Sequence, residues 1–151
     1  MSICYFNIQN RSTKLGVGGL AGFRRAIAVN PTSDLREFFS GSFEALLDHK
    51  PLRWQIRLFD RLVAGVIPRV CNLPTGLGKT SVIPIWLVAL AAQARVGRVT
   101  LPRRLVYIVN RRTVVDQATS VVEQLRRRLF SPSQPEWLRH EAVLNTMAKT
   151  L

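Results

Sequence analysis

The feature that most constrains this chain is the segment Pro74–Thr80, which reads Pro-Thr-Gly-Leu-Gly-Lys-Thr. Gly76 and Gly78 allow the backbone to turn its N–H groups towards a polyphosphate, because neither glycine has a Cβ that would block the approach. Lys79 supplies a positive charge for the β- and γ-phosphates, and Thr80 supplies a hydroxyl for the Mg²⁺ that bridges them. The segment therefore predicts a phosphate-binding loop between a strand and a helix.

The residues on either side of this loop bear on whether the match is real. The pattern Gly-x-x-x-x-Gly-Lys-Ser/Thr is not fully met, because Leu73 stands where its first glycine should be. The variant Pro-Thr-Gly-x-Gly-Lys-Thr is met completely, and it is typical of helicase-type motors. A chance Gly-Lys-Thr turn is the alternative. Apolar residues both before the loop and after it favour phosphate binding, because the motif requires a strand and a helix there.

Composition limits the size and the partners of the protein. With 151 residues the chain forms one domain at most. Its 47% hydrophobic residues exclude wholesale disorder. The 22 Lys and Arg residues outnumber the 9 Asp and Glu residues, which gives a net charge of +13. Such an excess favours a polyanionic partner such as nucleic acid, unless acidic parts of a longer protein balance it.

Cysteines and hydropathy bear on location. Cys4 and Cys71 are far apart in sequence and have no metal-ligand spacing, which favours a reducing cytoplasm. The longest apolar run, Val82–Ala92, is shorter than the roughly 20 residues of a membrane span. We therefore expect a cytoplasmic protein with no membrane partner.

The chain divides into three parts. Residues 1–33 contain no acidic residue and are expected to form a disordered basic leader. Residues 34–65 are expected to form N-terminal helices: a first helix ended by Gly41, a second short piece after it, and a longer helix opened by Pro51. Residues 66–151 follow as the part that contains the phosphate loop.

The third part alternates predicted strands and helices. Val66–Cys71 and Leu105–Val109 are short apolar runs, which we interpret as strands of a parallel sheet. Gly78–Ala94 is apolar on every side and predicts a buried helix. Val114–Leu129 has one apolar stripe, and its last turn, Arg126–Arg128, is interpreted as a solvated face. The predicted fold class is α/β.

Asn110, Arg111 and Arg112 lie between the second predicted strand and the helix after it. In a parallel sheet this loop and the phosphate loop share one edge, where ligands gather. Two guanidinium groups beside a helix start suit the phosphodiester backbone of a nucleic acid. A charged loop that only keeps the edge soluble is the alternative.

Gln55 is a candidate for adenine recognition, because a glutamine amide donates to one ring nitrogen and accepts from the exocyclic amine. It lies upstream of the phosphate loop, in the helix opened by Pro51. A helical glutamine on the solvated surface is the alternative.

Four segments together resemble a known family. Pro51–Gln55, Leu73–Thr80, Ile83–Leu90 and Tyr107–Gln117 are similar to the helicase part of the CRISPR-associated helicase–nucleases of type I systems, which are superfamily 2 motors. The phosphate loop is shared by many superfamily 2 proteins, whereas Arg-Arg-Thr-Val-Val-Asp-Gln is more specific. The resemblance extends from about residue 34 to about residue 129.

The resemblance implies a fold and an activity. The fold would be an incomplete RecA-like P-loop motor domain with a parallel sheet. The activity would be that of an ATP-dependent DNA helicase or translocase in antiviral interference, with ATP and Mg²⁺ as cofactors. Its partners would be single-stranded DNA and the guide-RNA surveillance complex of a type I CRISPR system. Lys79 and Thr80 would act in catalysis, Thr80 would hold the Mg²⁺, and Asn110, Arg111 and Arg112 would contact DNA. The ATP-binding residues would be Gln55, Thr75, Gly76, Leu77, Gly78, Lys79 and Thr80.

Other features of the family's pattern do not occur in the sequence. It has neither an Asp-Glu-x-His nor an Asp-Glu-x-Asp motif to complete the Mg²⁺ shell or orient the attacking water. We therefore expect the chain to be an N-terminal fragment that binds nucleotide weakly and does not hydrolyse it. Two alternatives remain open: another superfamily 2 helicase or restriction translocase, and a non-catalytic basic fragment that binds nucleic acid.

Overall fold

The computed structural model describes residues 4–5, 31–74, 76–109, 111–130 and 141–150. Helices account for 67% of these residues and strands for 3%. In chain order the elements are strand β1 (Cys4–Tyr5), helix α1 (Pro31–Leu47), helix α2 (Arg53–Val63), strand β2 (Val70–Cys71), a 3₁₀ turn (Lys79–Ser81), helix α3 (Val82–Arg95), helix α4 (Arg112–Phe130) and helix α5 (Glu141–Thr150).

Helix α3 lies at the centre, in contact with α1, α2 and α5. Its sequence has no polar side, so it is stable only where neighbours cover it all round. Its buried residues are Val82, Ile83, Pro84, Ile85, Val88, Ala89, Ala91, Ala92 and Gln93. The prediction of a buried helix after the phosphate loop is confirmed.

Helices α1 and α2 pack through aromatic rings. The rings of Phe39 and Phe59 stack with their centroids 4.3 Å apart, and both side chains are buried. At the surface the guanidinium of Arg36 donates from Nε and one terminal nitrogen to the two carboxylate oxygens of Asp60, at 3.1 and 2.7 Å. The hydrogen bond with Asp60, together with the charge of that carboxylate, raises the pKa of Arg36. The two helices are thus joined by a buried stack and an exposed ion pair.

The prediction that Gly41 ends the first helix is wrong. Helix α1 runs through Gly41 without a break. A glycine inside a helix costs about 0.5–1 kcal/mol relative to alanine. Burial of Phe39 and Phe43 on either side of it, each 0% exposed, stabilises the structure by more than that amount. Packing of the apolar face therefore outweighs the local preference of one residue.

Gln93 connects the end of α3 by hydrogen bonds to the end of α2 and to the loop that follows α3. Its amide nitrogen donates to the carbonyl oxygens of Leu62 and Val63 at the end of α2, at 3.2 and 3.0 Å. Its amide oxygen accepts from the backbone N–H groups of Thr100 and Leu101, at 2.8 and 2.9 Å. One buried side chain thus satisfies carbonyls at the end of a helix and amides of the following loop.

Helix α4 buries a narrower stripe than its sequence indicates. Ala118, Leu125 and Leu129 are buried, whereas Val115 and Val122 are nearly half exposed. The interpretation of Arg126–Arg128 as a solvated face is wrong for Arg128. That side chain is buried, donates to the carbonyl oxygen of Ala45 at 3.0 Å, and forms an ion pair with Asp48.

The predicted parallel sheet, and with it the RecA-like motor domain, is not seen in the described residues. Of the first predicted strand only Val70–Cys71 is a strand, and it pairs antiparallel with Cys4–Tyr5. Residues 105–109 form no strand; a single bridge occurs at Tyr107. The register places Cys4 opposite Cys71, although the two are far apart in sequence.

The physical reason lies in what a parallel sheet requires. The strands of a parallel sheet are buried on both faces, because helices pack against each face. Two strands without such helices do not form a stable sheet. Here Val106 and Ile108 are 55% and 66% exposed, and Val66 is 53% exposed. An apolar run of five or six residues indicates burial without saying what buries it. The runs that predict the α/β class lie instead at the margin of a helical core.

Candidate functional site

The phosphate loop contains two glycines in conformations that other residues avoid. Gly78 is in the left-handed region, with φ 65° and ψ 46°, and Gly76 has φ 88°. A Cβ at Gly76 would meet no atom within 4 Å, and one at Gly78 would come no closer than 3.9 Å to its nearest neighbour, the amide nitrogen of Gln55. The glycines are therefore required by the backbone conformation and not by lack of space.

Lys79 and Thr80 follow in the 3₁₀ turn that leads directly into α3. Both side chains are partly exposed, and Leu77 is 37% exposed. Thr75 lies outside the described residues. The two residues that the sequence assigns to phosphate and Mg²⁺ are thus adjacent to the glycine turn and partly exposed.

Gln55 comes to the same loop from α2, but it faces inward. The side chain is 1% exposed. Its amide oxygen accepts from the backbone N–H of Leu52 at 2.7 Å, and so caps the start of α2. Its amide nitrogen donates to the hydroxyl of Ser81 at 2.7 Å. The structure therefore joins Gln55 to the phosphate loop and engages both ends of its amide inside the protein.

The arginine pair lies at the start of α4. Arg112 is the first residue of the helix, Arg111 precedes it, and both are exposed. Asn110 lies outside the described residues. Helix α4 contacts the Lys79–Ser81 turn. The helix that begins at Arg112 therefore contacts the turn that carries Lys79 and Thr80, although no parallel sheet joins the two within the described residues.

Mg²⁺ would fit this loop only together with a nucleotide. Among the described residues no group of three or more His, Cys, Asp and Glu side chains comes together, so they offer no all-protein cage. Mg²⁺ keeps several waters and is commonly bound through one or two protein ligands plus substrate phosphates. The hydroxyl of Thr80 can serve as such a ligand.

A second concave feature lies between α3 and α4. It is an apolar groove of about 400 Å³ whose lining includes Trp86, Leu105, Tyr107, Leu125, Arg126 and Phe130. The indole N–H of Trp86 is buried and has no hydrogen-bond partner among the described residues. The groove is separate from the glycine turn, and none of the residues predicted to bind a ligand lines it.

Two residues with structural roles are not predicted by the sequence: Ser81 beside the glycine turn, and Gln93 near the end of α3. Ser81 directly follows Thr80 and donates to the carbonyl oxygen of Gly78 at 2.6 Å. A hydroxyl residue at the start of a helix is a signal that could have drawn attention to it. Gln93 gave no comparable signal, because its partners are distant in sequence.

Comparison of the chain with protein-family models, with curated proteins and with solved structures gave no match. Within the described ranges, none of the helices has both the length and the apolar character needed to cross a membrane. The resemblance to the type I helicase–nucleases therefore stays a hypothesis that depends on the short motifs.

Proposed function

We propose that this chain binds the phosphates of ATP through its glycine loop and belongs to an ATP-dependent DNA helicase or translocase of the type I CRISPR kind. One observation carries the proposal: Gly76 and Gly78 hold the positive φ angles of a tight turn, and the partly exposed Lys79 and Thr80 follow at once. A glycine turn of this kind presents backbone N–H groups to an anion.

The chemistry at the loop follows from the side chains. The ammonium of Lys79 would contact the β- and γ-phosphates, and the hydroxyl of Thr80 would contact the Mg²⁺ that travels with them. The bound ion supplies charge neutralisation at the phosphates. Such a site depends on the triphosphate and the ion together, so affinity should fall when Mg²⁺ is removed.

Charge supports a nucleic-acid partner. The chain carries +13, and Arg111 and Arg112 are exposed at the start of the helix that contacts the phosphate turn. Exposed guanidinium groups bind phosphodiesters through paired hydrogen bonds. We propose single-stranded DNA as the ligand of this pair, a guide-RNA surveillance complex as the partner in the cell, and the cytoplasm as the location.

We expect this chain to bind ATP without hydrolysing it. Hydrolysis of a γ-phosphate needs a residue that orients the attacking water and acidic groups around the metal. The described residues hold no acidic cluster beside the loop. We therefore propose that the chain alone binds Mg·ATP and that turnover belongs to the intact helicase.

The test is the affinity of the whole chain for a fluorescent ATP analogue with Mg²⁺, in the wild type and in Lys79→Ala. Loss of one charge-assisted contact should lower the affinity roughly 10- to 100-fold. Lys149→Ala, which removes an exposed lysine in the last turn of α5, is the matched control and should leave the affinity unchanged. Equal affinity of the wild type and Lys79→Ala would refute the phosphate assignment.

A second candidate is a non-catalytic basic fragment in which the loop is vestigial. The largely helical fold and the exposed arginines favour it, because both suit a nucleic-acid-binding surface without a motor. Filter binding of single-stranded DNA with and without Mg·ATP separates the two. Binding that does not respond to nucleotide favours the vestigial loop. Another superfamily 2 helicase or a restriction translocase would use the same loop residues, so this test does not distinguish among motors.

A further inference from the structure

A continuous line of hydrogen bonds connects α2 to the glycine turn. The backbone N–H of Leu52 donates to the amide oxygen of Gln55 at 2.7 Å, and the amide nitrogen of Gln55 donates to the hydroxyl of Ser81 at 2.7 Å. The hydroxyl of Ser81 donates a hydrogen bond to the carbonyl oxygen of Gly78 at 2.6 Å. Gln55 is 1% exposed and Ser81 is 9% exposed, so water competes little for the bond between them, and the other two bonds are part-buried.

We propose that Gln55 and Ser81 are positioning residues which fix the Gly78 turn for a polyphosphate, so that Gln55 acts on the triphosphate part of a nucleotide and not on its base. The inference rests on the proposed phosphate-binding function and extends it. Neither residue touches the ligand in this arrangement; both act through the backbone of Gly78.

The geometry of the peptide bond explains how the line of bonds reaches the ligand. The carbonyl oxygen of Gly78 accepts from both the backbone N–H of Ser81, at 2.9 Å, and the hydroxyl of Ser81. A trans peptide is planar, and its C=O and N–H point in opposite directions. With the carbonyl of Gly78 held towards Ser81, the N–H of Lys79 is held pointing away from it. A fixed N–H direction is what a preorganised anion site requires.

The donor order also matters. The hydroxyl of Ser81 can rotate, and it has one hydrogen to give. Because Gln55 donates to its oxygen, the hydrogen of that hydroxyl is left for Gly78. A group at position 55 that accepted a hydrogen bond would instead compete with Gly78 for the same hydrogen. The amide of Gln55 therefore determines that the hydroxyl of Ser81 donates to Gly78.

Adenine recognition makes a different demand on the same side chain. To read a base, the amide must leave Leu52 and Ser81 and become accessible, which costs one part-buried and one buried hydrogen bond. The positioning role needs no movement. The two roles predict different ligand dependence, and this difference provides the test.

The experiment compares the affinities of the whole chain for Mg·ATP, Mg·GTP and inorganic tripolyphosphate with Mg²⁺. Gln55→Ala and Ser81→Ala each break two hydrogen bonds of this line. Each should weaken the binding of all three ligands by the same factor, roughly 5- to 30-fold, because the Gly78 turn is no longer fixed. Ser81→Thr keeps the hydroxyl and should restore most of the affinity. Gln124→Ala, a glutamine change on α4, is the matched control and should have no effect.

A second measurement does not need a ligand. In nucleotide-free protein, Ser81→Ala should shift the ¹⁵N–¹H signals of Gly78 and Lys79, whereas Gln124→Ala should leave them in place. Thermal unfolding of each variant shows that it is folded.

The outcomes are distinct. Loss of ATP affinity in Gln55→Ala with unchanged tripolyphosphate affinity would overturn the inference in favour of base reading. Unchanged affinities in both alanine variants, with a wild type that binds, would overturn it outright. A wild type that binds none of the three ligands would refute the proposed function itself.

Discussion

Replacement of Gly78 by alanine tests the glycine turn most directly. The residue has φ 65° and ψ 46°, in the left-handed region, where the Cβ of an L-residue costs roughly 1–2 kcal/mol. The nearest atoms to a new Cβ are the amide nitrogen of Gln55 at 3.9 Å and the hydroxyl of Ser81 at 4.0 Å, both at ordinary contact distance. Sterics therefore add nothing, and strain accounts for the whole cost.

The strain of Gly78→Ala should appear mainly in ligand affinity. Residues 76–78 are exposed, so the turn of the variant can relax in the free protein, at the cost of weakening the hydrogen bond from Ser81 to Gly78. Binding must then restore the strained conformation. We expect affinity for Mg·ATP to fall roughly 5- to 30-fold, which corresponds to that energy. The free energy of unfolding should also fall, by at most about 1 kcal/mol, because the bond from Ser81 to Gly78 is weakened.

The control for Gly78→Ala is Gly97→Ala. Gly97 has φ 70°, and a Cβ added there would meet no atom within 4 Å, so the variant carries the same strain without steric conflict. It follows the end of α3, far along the chain from the phosphate loop. We expect Gly97→Ala to destabilise the fold by about 1 kcal/mol and to leave the affinity unchanged. Calorimetric titration and thermal unfolding give both quantities. Equal affinity loss in both variants, or none in Gly78→Ala, would refute the reasoning.

Three further predictions concern the helices. Gly41→Ala, inside α1 with nothing within 4 Å of a new Cβ, should raise the free energy of unfolding by about 0.5–1 kcal/mol in urea titrations; a decrease would contradict the continuous helix. Gln93→Leu leaves the buried N–H of Leu101 without its acceptor and should lower the free energy of unfolding by about 1–3 kcal/mol. An unchanged free energy of unfolding would mean that the hydrogen bonds of Gln93 contribute nothing to stability. Combined Arg111→Gln and Arg112→Gln should reduce the salt dependence of single-stranded DNA binding by about 1.4 in the log–log slope; an unchanged slope would exclude both from the DNA contact.

Helices α2 and α3 could be predicted from this sequence because their signals are local. The uninterrupted apolar character of residues 82–92 fixes α3 as a buried helix, since no solvated face is available to it. Pro51 and the apolar spacing after it place α2 within two residues of its observed start at Arg53.

The sheet could not be predicted reliably, because a strand forms only where it finds a hydrogen-bonding partner strand, and that partner can be distant in sequence. The runs at 66–71 and 105–109 have the composition of buried strands. Yet Ile108 is 66% exposed, and of these described residues only Val70–Cys71 forms a strand, while Tyr107 makes a single bridge. Their apolar character is real, but the step from an apolar run to a parallel sheet is not warranted by the residues alone.

The candidate site was predictable only where its features depend on neighbouring residues in the sequence. The glycines and Lys79 act locally, and their pattern predicts a turn that the structure contains. The hydrogen bond from Gln55 to Ser81 joins residues 26 positions apart, and no periodicity or spacing reveals it. Contacts of that range are set by the packing of α2 against α3, which only a structure provides.

The buried Arg128 has a consequence for the order in which the chain folds. Its contact with Asp48 joins residues 80 positions apart, against 26 for Gln55 and Ser81. Closing the longer loop costs about 1 kcal/mol more in chain entropy, so α1, α2 and α3 should associate before α4 docks. An interaction that forms after the folding barrier governs how long the native state persists, so Arg128 should act chiefly on the rate of unfolding.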